Sequence, residues 1–207
     1  MTPFTTLDST AIRLDAANID TDQIIPARFL RNPRKAGYAN FLFHDMRFDE
    51  AGSPIADSAF NRPENQGAQV VVAGDNFGCG SSREGAVYAL LDYGIRCVVA
   101  PSFGDIFRNN CCKNGVLPVV LPAEDIAKLV SHSSDAAPKL HIDLAAQEVR
   151  SATHAAHFDI EPFWKDCLLH GLDDIDLTLR HRDRIAAFAA QRFATHPWLT
   201  PGARSQP

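Results

Sequence analysis

The chain has 207 residues, of which 45% are hydrophobic and 22% charged, and it carries a formal net charge of −5. This composition excludes a coiled coil, a collagen-like repeat and a wholly disordered chain, and the acidic balance argues against a nucleic-acid partner. No apolar run approaches the roughly 20 residues that a membrane-spanning helix requires, and the N-terminal residues lack the basic and apolar regions of a signal peptide. We therefore expect a cytoplasmic protein with no nucleic-acid or membrane partner.

Strands and helices alternate through the middle of the chain. Three short runs rich in β-branched residues predict buried strands, and a stretch with helical features follows each of them. Because parallel neighbours need crossover connections, this order predicts an α/β fold with mostly parallel buried strands and covering helices. The predicted strands are residues 69–73, 96–100 and 116–121, and the predicted helices are residues 82–93, 102–114 and a third that starts at residue 122.

The later segments are more mixed in polarity. Residues 139–144 and 148–151 predict a hairpin or an edge of the sheet, and an amphipathic helix is predicted near the C-terminus. The apolar face of this helix comprises Ile185, Phe188, Ala189 and Phe193. We expect one domain over residues 1–200 and a frayed tail over residues 201–207.

A glycine-rich loop, residues 74–80, follows the first predicted strand and is called the glycine loop below. After it, Ser81 with Glu84 three residues later is typical of a capping box, which satisfies free backbone donors at a helix start. Two features favour a binding site instead. Gly78 and Gly80 permit positive φ angles or a close approach of the backbone, and Arg83 places a cation where the helix dipole disfavours one unless an anion is bound. The pattern leaves both interpretations open, a helix cap and a site for a small acid.

Neither a nucleotide nor a metal is predicted to bind this chain. The loop lacks the third glycine of the dinucleotide fingerprint, and the next predicted strand ends without the expected acidic residue. The five cysteines form no C-x-x-C pair, and the histidines have no Cys or acidic partner at a recognisable ligand spacing.

A second polar cluster lies near the start of the chain, in residues 18–26. Its composition is typical of a turn rich in Asx-type hydrogen bonds that leads into a short apolar segment. The basic residues after it predict either a solvated face or a patch that steers an anionic substrate. These residues are Arg28, Arg31, Arg34 and Lys35.

Five blocks of sequence together form a recognisable pattern. They are residues 18–26, 74–84, 101–107, 114–118 and 171–175. The most specific string is Asp75-Asn76-Phe77-Gly78-Cys79-Gly80-Ser81-Ser82-Arg83-Glu84. In this order the blocks resemble the small subunits of 3-isopropylmalate dehydratase, in the aconitase superfamily, over nearly the whole chain.

The resemblance implies a swivelling β/β/α domain, which in aconitases is the mobile C-terminal domain. In this family the domain is a separate chain, which docks onto a large subunit to form a heterodimer or a heterotetramer. A [4Fe–4S] cluster in the large subunit takes the departing hydroxyl on its iron, which acts as a Lewis acid, so no cofactor is expected on the present chain. The implied reaction on a small hydroxy-diacid is the isomerisation of 2-isopropylmalate and 3-isopropylmalate through an unsaturated acid, in leucine biosynthesis.

The resemblance also implies roles for individual residues. Ser81 would be the base that removes the proton from the carbon next to a carboxylate. Arg83 would bind a substrate carboxylate, and Ser82 would help to orient it. Asp22 would belong to the supporting polar network. A serine alkoxide is costly in water, so this base needs backbone donors, a helix N-terminus and positive charge nearby.

The implied specificity loop contains Phe29, Leu30 and Arg31, whose two apolar side chains suit a branched substituent. The sequence departs from the family pattern beside the implied base, because Gly85 and Tyr88 stand where members commonly carry histidine and tryptophan. These departures leave open a dehydratase of methylmalate or dimethylmalate, or a protein of the homoaconitase type. The alternative from a different class is a non-catalytic module that binds an anion.

Overall fold

The computed structural model describes residues 1–131 and 137–200 of the chain. The chain divides into two compact units, Met1–Gly171 and Leu172–Pro207. The expected frayed tail lies outside the described residues, and a single domain over residues 1–200 stays a prediction. Across the described ranges, no helix is both long and apolar enough to cross a membrane.

The first unit is built on a mixed β-sheet. Among the described residues its strands are β1 (Thr6–Leu14), β2 (Val70–Ala73), β3 (Cys97–Ala100), β4 (Leu117–Val120), β5 (Lys139–Asp143), β6 (Glu148–Arg150) and β7 (Ala155–His157). They lie in the order β4-β3-β2-β1-β5-β6-β7. Strands β1 to β4 pair in parallel, and β1, β5, β6 and β7 pair antiparallel. The three predicted central strands and the predicted hairpin are confirmed.

Strand β1 joins the two halves of the sheet. Its residues 6–10 pair with β5, and its residues 11–14 pair in parallel with β2. Strand β1 was not predicted from the sequence, because Asp8, Ser9 and Thr10 interrupt its apolar residues and its first half is only partly buried. The sheet therefore contains a central strand that an apolar-run criterion does not detect.

Helices cover both faces of the parallel half. The helices of the first unit are α1 (Thr21–Ile24), α2 (Tyr38–Phe41), α3 (His44–Arg47), α4 (Glu84–Tyr93), α5 (Asp105–Asn114), α6 (Ala123–Val130) and α7 (Pro162–His170). Short 3-10 helices lie at Ala27–Phe29, Arg34–Ala36 and Pro63–Asn65. The covering helices are predicted correctly, but α4 and α5 begin two and three residues later than predicted.

Alternate side chains of the central strands enter two separate cores, which explains why β2 and β3 are apolar throughout. Val71 and Val98 pack into the core beneath α4 and α5. Val70 and Val99 pack into the core that includes residues of α6 and α7. Each fully buried valine contributes about 1.5–3 kcal/mol of hydrophobic stabilisation, so these short strands are a firm base for the loops that follow them.

The second unit is helical in its described part. It contains α8 (Asp174–Leu179), α9 (Arg182–Thr195) and a 3-10 helix at Pro197–Leu199. Asp173 caps α8, because its carboxylate accepts a hydrogen bond from the Asp176 backbone N–H at 2.8 Å. The helix predicted near the C-terminus is confirmed as α9.

Candidate active site

Two polar loops meet at one edge of the sheet because they follow the carboxyl ends of neighbouring parallel strands, β1 and β2. Backbone hydrogen bonds hold the loops side by side. The Asn18 N–H donates to the Asp75 carbonyl at 2.8 Å, and the Gly78 N–H donates to the Ile19 carbonyl at 2.7 Å. The two sequence clusters noticed separately therefore form one structure.

A third loop, between β3 and α5, forms backbone hydrogen bonds with the glycine loop. The Phe77 N–H donates to the Ser102 carbonyl at 3.0 Å, and the Gly104 N–H donates back to the Phe77 carbonyl at 2.9 Å. Gly78 has a φ of 72°, and a Cβ there would lie 2.2 Å from the Phe107 ring. The predicted positive φ angles at Gly78 and at Gly80, where φ is 88°, are confirmed. Phe107 is a supporting residue that the sequence analysis did not identify.

Two exposed serines, Ser81 and Ser82, directly follow the glycine loop. The Thr21 hydroxyl donates to the Ser81 carbonyl at 2.8 Å, and the Thr21 side chain is buried. In the part of the chain that the structure describes, neither serine hydroxyl makes a hydrogen bond. The backbone at Ser81 is thus fixed, while its hydroxyl is open to a ligand. Thr21 was not singled out from the sequence as a supporting residue, although its position between Asp20 and Asp22 in the polar cluster could have indicated one.

Helix α4 begins without a side-chain cap. Its N-cap residue is Arg83, in an extended conformation with φ −134°, and no side chain accepts a hydrogen bond from the first turn. The capping box of Ser81 with Glu84 is therefore wrong, since Ser81 lies two residues before the N-cap. Glu84 instead accepts a hydrogen bond from the Asn114 side-chain amide at 2.9 Å. The first turn of α4 thus has no side-chain cap, and the positive end of the helix dipole lies at the end of the helix that follows the serines in the chain.

Arg83 forms an ion pair with Asp22 across the two loops. The Arg83 side chain is 20% exposed, and the Asp22 side chain is 50% exposed. Asp22 contacts one terminal nitrogen of the guanidinium, so further N–H donors of the planar group remain for a ligand. The structure thus brings together four of the sequence-predicted site residues, namely Asp22, Ser81, Ser82 and Arg83.

The specificity loop predicted from the sequence lies within a longer segment, residues 26–37, that we call the pocket loop. Side-chain contacts hold it in place. Arg28 donates to Asp45 at 2.9 Å, and its guanidinium holds the pKa of that carboxyl below its usual value. Phe29 stacks on Phe41 with ring centroids 4.3 Å apart. Arg31 is exposed and has no ion pair among the described residues.

The pocket loop runs along one face of α4. Leu30 packs at Gly85, and the Arg34 guanidinium lies 4.3 Å from the centre of the Tyr88 ring. Arg34 also donates to the Asp92 carboxylate at 3.0 Å. Positions 85, 88 and 92 share a face because an α-helix turns once in about 3.6 residues. Both departures from the family pattern, Gly85 and Tyr88, therefore contact the pocket loop.

Four of the five cysteines are buried as free thiols. Burial raises the pKa values of Cys97 and Cys111, and it raises the pKa of Cys112 to about 12. Cys79 is the half-exposed member, and it lies in the glycine loop. Within residues 1–131 and 137–200, no group of three or more His, Cys, Asp or Glu side chains is arranged to hold a metal ion.

Family comparison agrees with this geometry. The family described as the aconitase C-terminal domain matches residues 1–124, and the C-terminal domain of the 3-isopropylmalate dehydratase small subunit matches residues 174–202. The chain is 47% identical over 201 residues to a 3-isopropylmalate dehydratase small subunit of Parvibaculum lavamentivorans, which covers 96% of this chain and 100% of the relative. It is also 50% identical over 200 residues to a 3-isopropylmalate dehydratase small subunit of Phenylobacterium zucineum. That match covers 96% of this chain and 98% of the relative.

A solved structure supports the same fold. The crystal structure of a 3-isopropylmalate dehydratase from Methanocaldococcus jannaschii is similar to this chain with a TM-score of 0.65 and 26% sequence identity. The match covers 89% of this chain and 99% of the other.

Proposed function

The chain belongs to the family of 3-isopropylmalate dehydratase small subunits, and from this premise we propose its reaction and the residues that perform it. With a large subunit, in the cytoplasm, it isomerises 2-isopropylmalate and 3-isopropylmalate by dehydration and rehydration in leucine biosynthesis. The observation that carries the proposal is the set of groups around Arg83. A guanidinium oriented by Asp22 stands beside an uncapped helix N-terminus and two exposed serines.

Arg83 binds one substrate carboxylate in this proposal. Its guanidinium suits a carboxylate because the planar group can donate two parallel hydrogen bonds. Asp22 is the positioning residue, since the ion pair limits the rotamers of a long side chain before the substrate arrives. Ser82 is exposed next to Arg83 and can donate its hydroxyl proton to the same carboxylate.

Ser81 accepts the proton. The C–H bond next to a carboxylate breaks, its proton moves to the deprotonated Oγ of Ser81, which becomes a neutral hydroxyl, and the electron pair of the C–H bond forms the carbon–carbon double bond. The hydroxyl on the neighbouring carbon leaves on the side of the partner protein, so the substrate loses the elements of water. Rehydration gives the isomer when Ser81 delivers the proton to the carbon that had lost the hydroxyl, and the hydroxyl adds to the carbon that had lost the proton. The dipole of α4 and the charge of Arg83 stabilise the Ser81 oxyanion.

The rest of the site belongs to the large subunit. The described residues of this chain contain no ligand set for a metal or a cluster, so we assign the [4Fe–4S] cluster and the departure of the hydroxyl to the partner. The assembly is then a heterodimer or a heterotetramer in which Ser81 and Arg83 face the partner.

A second candidate is a related dehydratase whose substrate carries a different substituent. The observation that favours it is Arg31, an exposed cation without an ion pair among the described residues. An unpaired guanidinium on the pocket loop suits a third carboxylate, as in a homoaconitase-type substrate. The apolar Phe29 and Leu30 favour the branched substituent of isopropylmalate instead, or the smaller one of a methylmalate.

A mixing assay tests the proposal. This chain and a large subunit with its cluster rebuilt under anaerobic conditions are combined, and formation of the unsaturated acid is followed from 3-isopropylmalate, 2-methylmalate and homocitrate. We expect activity on 3-isopropylmalate when both chains are present. Activity confined to another acid would favour the second candidate. Inactivity on every acid, despite a formed complex and an intact cluster, would favour a non-catalytic anion-binding module.

A further inference from the structure

Thr21 is a buried polar residue that contacts the proposed base. It is 2% exposed, and its hydroxyl donates to the Ser81 carbonyl at 2.8 Å, across 60 positions of sequence. Burying a hydroxyl costs free energy unless it is paired. The fold thus places a polar group in the interior and pairs it with the residue that is proposed to move the proton.

The backbone of Thr21 is held without its hydroxyl. The Thr21 N–H donates to the Cys79 carbonyl at 3.0 Å, and the Thr21 carbonyl accepts from the Ile25 N–H at 3.0 Å. Thr21 is also the first residue of α1, which Asp20 caps by accepting a hydrogen bond from the Gln23 N–H at 2.8 Å. A variant that lacks only the hydroxyl is therefore expected to keep this segment in place.

The segment between the glycine loop and α4 has few other supports. Gly80, with a φ of 88°, directly precedes Ser81, and glycine has the least restricted backbone of any residue. Among the described residues, the N–H groups of Ser81, Ser82 and Arg83 have no backbone acceptor. The Ser81 carbonyl accepts from the Thr21 hydroxyl. This hydroxyl is thus the link that fixes the peptide group between the two serines.

The fixed peptide group orients the chain on both sides of it. A peptide bond is planar and trans, so its carbonyl oxygen and its N–H point in opposite directions. Because the Ser81 carbonyl points to Thr21, the Ser82 N–H points away from Thr21. The same plane contains the Cα of Ser81, from which the proposed base extends. A misplacement of about 1 Å at the reacting atoms can cost roughly 100-fold in rate.

We propose that Thr21 is a positioning residue for proton transfer, because its hydroxyl holds the peptide group that carries the base. The inference rests on the proposed function and deepens it. Thr21 is buried and acts through Ser81, without contact to the substrate. Loss of the hydroxyl is expected to slow proton transfer and to leave the binding of a carboxylate to Arg83 nearly unchanged. The effect should be the same for substrates with different substituents.

Substitutions of Thr21 in the reconstituted complex test the proposal. Thr21→Val keeps the β-branched shape and removes the hydroxyl, whereas Thr21→Ser keeps the hydroxyl. Thr21→Val is expected to lower kcat on 3-isopropylmalate about 10–100-fold and to leave KM within about threefold, the pattern of a defect in the transition state alone. Thr21→Ser is expected to keep kcat within about threefold of the wild-type value.

Three further measurements separate positioning from a structural role. The isotope effect on kcat, with 3-isopropylmalate deuterated at the carbon that bears the isopropyl group, should increase in Thr21→Val because proton transfer is slowed relative to the other steps. In a Ser81→Ala background, Thr21→Val should change kcat less than about twofold, since Thr21 acts through Ser81. Tyr93→Phe is the matched control. It also removes a part-buried hydroxyl that donates to a backbone carbonyl, that of Phe60 at 3.2 Å, and it should leave kcat near the wild-type value.

The possible outcomes distinguish the role of Thr21 from the function on which it rests. Normal kcat in Thr21→Val, or an equal loss in Thr21→Val and Thr21→Ser, would overturn the positioning role alone. Thr21→Ala, a second variant without the hydroxyl, should show the same loss of kcat. A loss of the fold or of the complex in both of these variants, measured by thermal unfolding and gel filtration, would mean that Thr21 is structural and would also overturn the role. An inactive wild-type complex, or normal turnover in Ser81→Ala, would overturn the proposed function itself.

Discussion

The glycine loop precedes the start of α4 and the pocket loop runs along one face of the same helix, but different interactions hold the two loops. The glycine loop is fixed by backbone hydrogen bonds to its neighbours, such as the 2.7 Å bond from Gly78 to Ile19. The pocket loop is fixed by side chains, through the Arg28–Asp45 pair, the Phe29–Phe41 stack and the Arg34–Asp92 pair. A substitution can therefore change the pocket loop without moving the glycine loop.

This difference suggests that the two loops have separate roles in the proposed reaction. Groups proposed to bind the common carboxylate and to move the proton follow a loop that several backbone hydrogen bonds hold, together with the hydrogen bond from the Thr21 hydroxyl. Groups proposed to contact the variable substituent lie on a loop whose contacts can be exchanged one at a time. We expect changes in the first region to affect all substrates alike and changes in the second to affect the ratio between them.

The largest effect is expected from Ser81→Ala. Removing a general base lowers turnover by about 10²–10⁴-fold, while the dissociation constant for 3-isopropylmalate should change little because Arg83 remains. Turnover and titration calorimetry of the reconstituted complex measure the two quantities. Ser53→Ala is a matched control, since Ser53 is an exposed serine outside the site. Turnover near the wild-type value would remove Ser81 from the catalytic role.

Arg83→Lys is expected to raise KM by about 10–100-fold, because a point charge does not reproduce two parallel hydrogen bonds from a charged group. Initial rates over a range of substrate concentrations separate KM from kcat. The effect should be the same for substrates with different substituents. An unchanged KM would contradict the assignment of the carboxylate to Arg83.

Asp22→Asn is expected to raise KM about 3–10-fold, since Arg83 keeps its charge and loses the partner that orients it. Asp22 is half-exposed, so the change in unfolding free energy should stay below about 1 kcal/mol. Steady-state kinetics and chemical denaturation of the same variant test the two statements together. A large loss of stability without a change in KM would mean that Asp22 is structural.

The smallest effect is expected from Asp45→Asn, which removes the partner of Arg28 in the pocket loop. Hydrogen bonding to Arg28 lowers the pKa of Asp45 below its ordinary 3.8. A lowered carboxyl pKa stabilises the fold above the unfolded-state value, and this contribution disappears as the pH falls through the folded-state value. The Tm difference from wild type should be no larger than about 2–4 °C where Asp45 is ionised, and it should disappear in acid, as the pH falls below 3.8 and through the lowered folded-state value. A difference that persists at that acidity would contradict the ion pair as its cause.

Local sequence patterns predicted much of the fold and part of the site. The strands at Val70–Ala73 and Cys97–Ala100 are buried on both faces, so their apolar runs were informative. Strand β1 was missed because its polar first half is only partly buried. The capping box, one of two interpretations that the sequence left open, is not formed, because the extended backbone at Arg83 delays the helix although Ser81 and Glu84 have the right spacing.

Local sequence patterns could not predict the contacts between distant parts of the chain. The pairing of Asp22 with Arg83 depends on β1 lying next to β2, and β1 was not predicted. The packing of Leu30 on Gly85 depends on the course of the pocket loop along α4. Spacing within a segment cannot encode such contacts, whereas the resemblance to a family indicated which segments to examine.

The most direct test of these separate roles compares one substitution beside the glycine loop with one beside the pocket loop, each measured on two substrates. In reconstituted complexes, kcat/KM for 2-isopropylmalate and 2-methylmalate is measured with Arg83→Lys and with Phe41→Leu, which weakens the stack under Phe29. We expect Arg83→Lys to lower both values by the same factor within about threefold, and Phe41→Leu to change their ratio by about fivefold or more. A ratio that changes with Arg83→Lys and stays constant with Phe41→Leu would contradict the account.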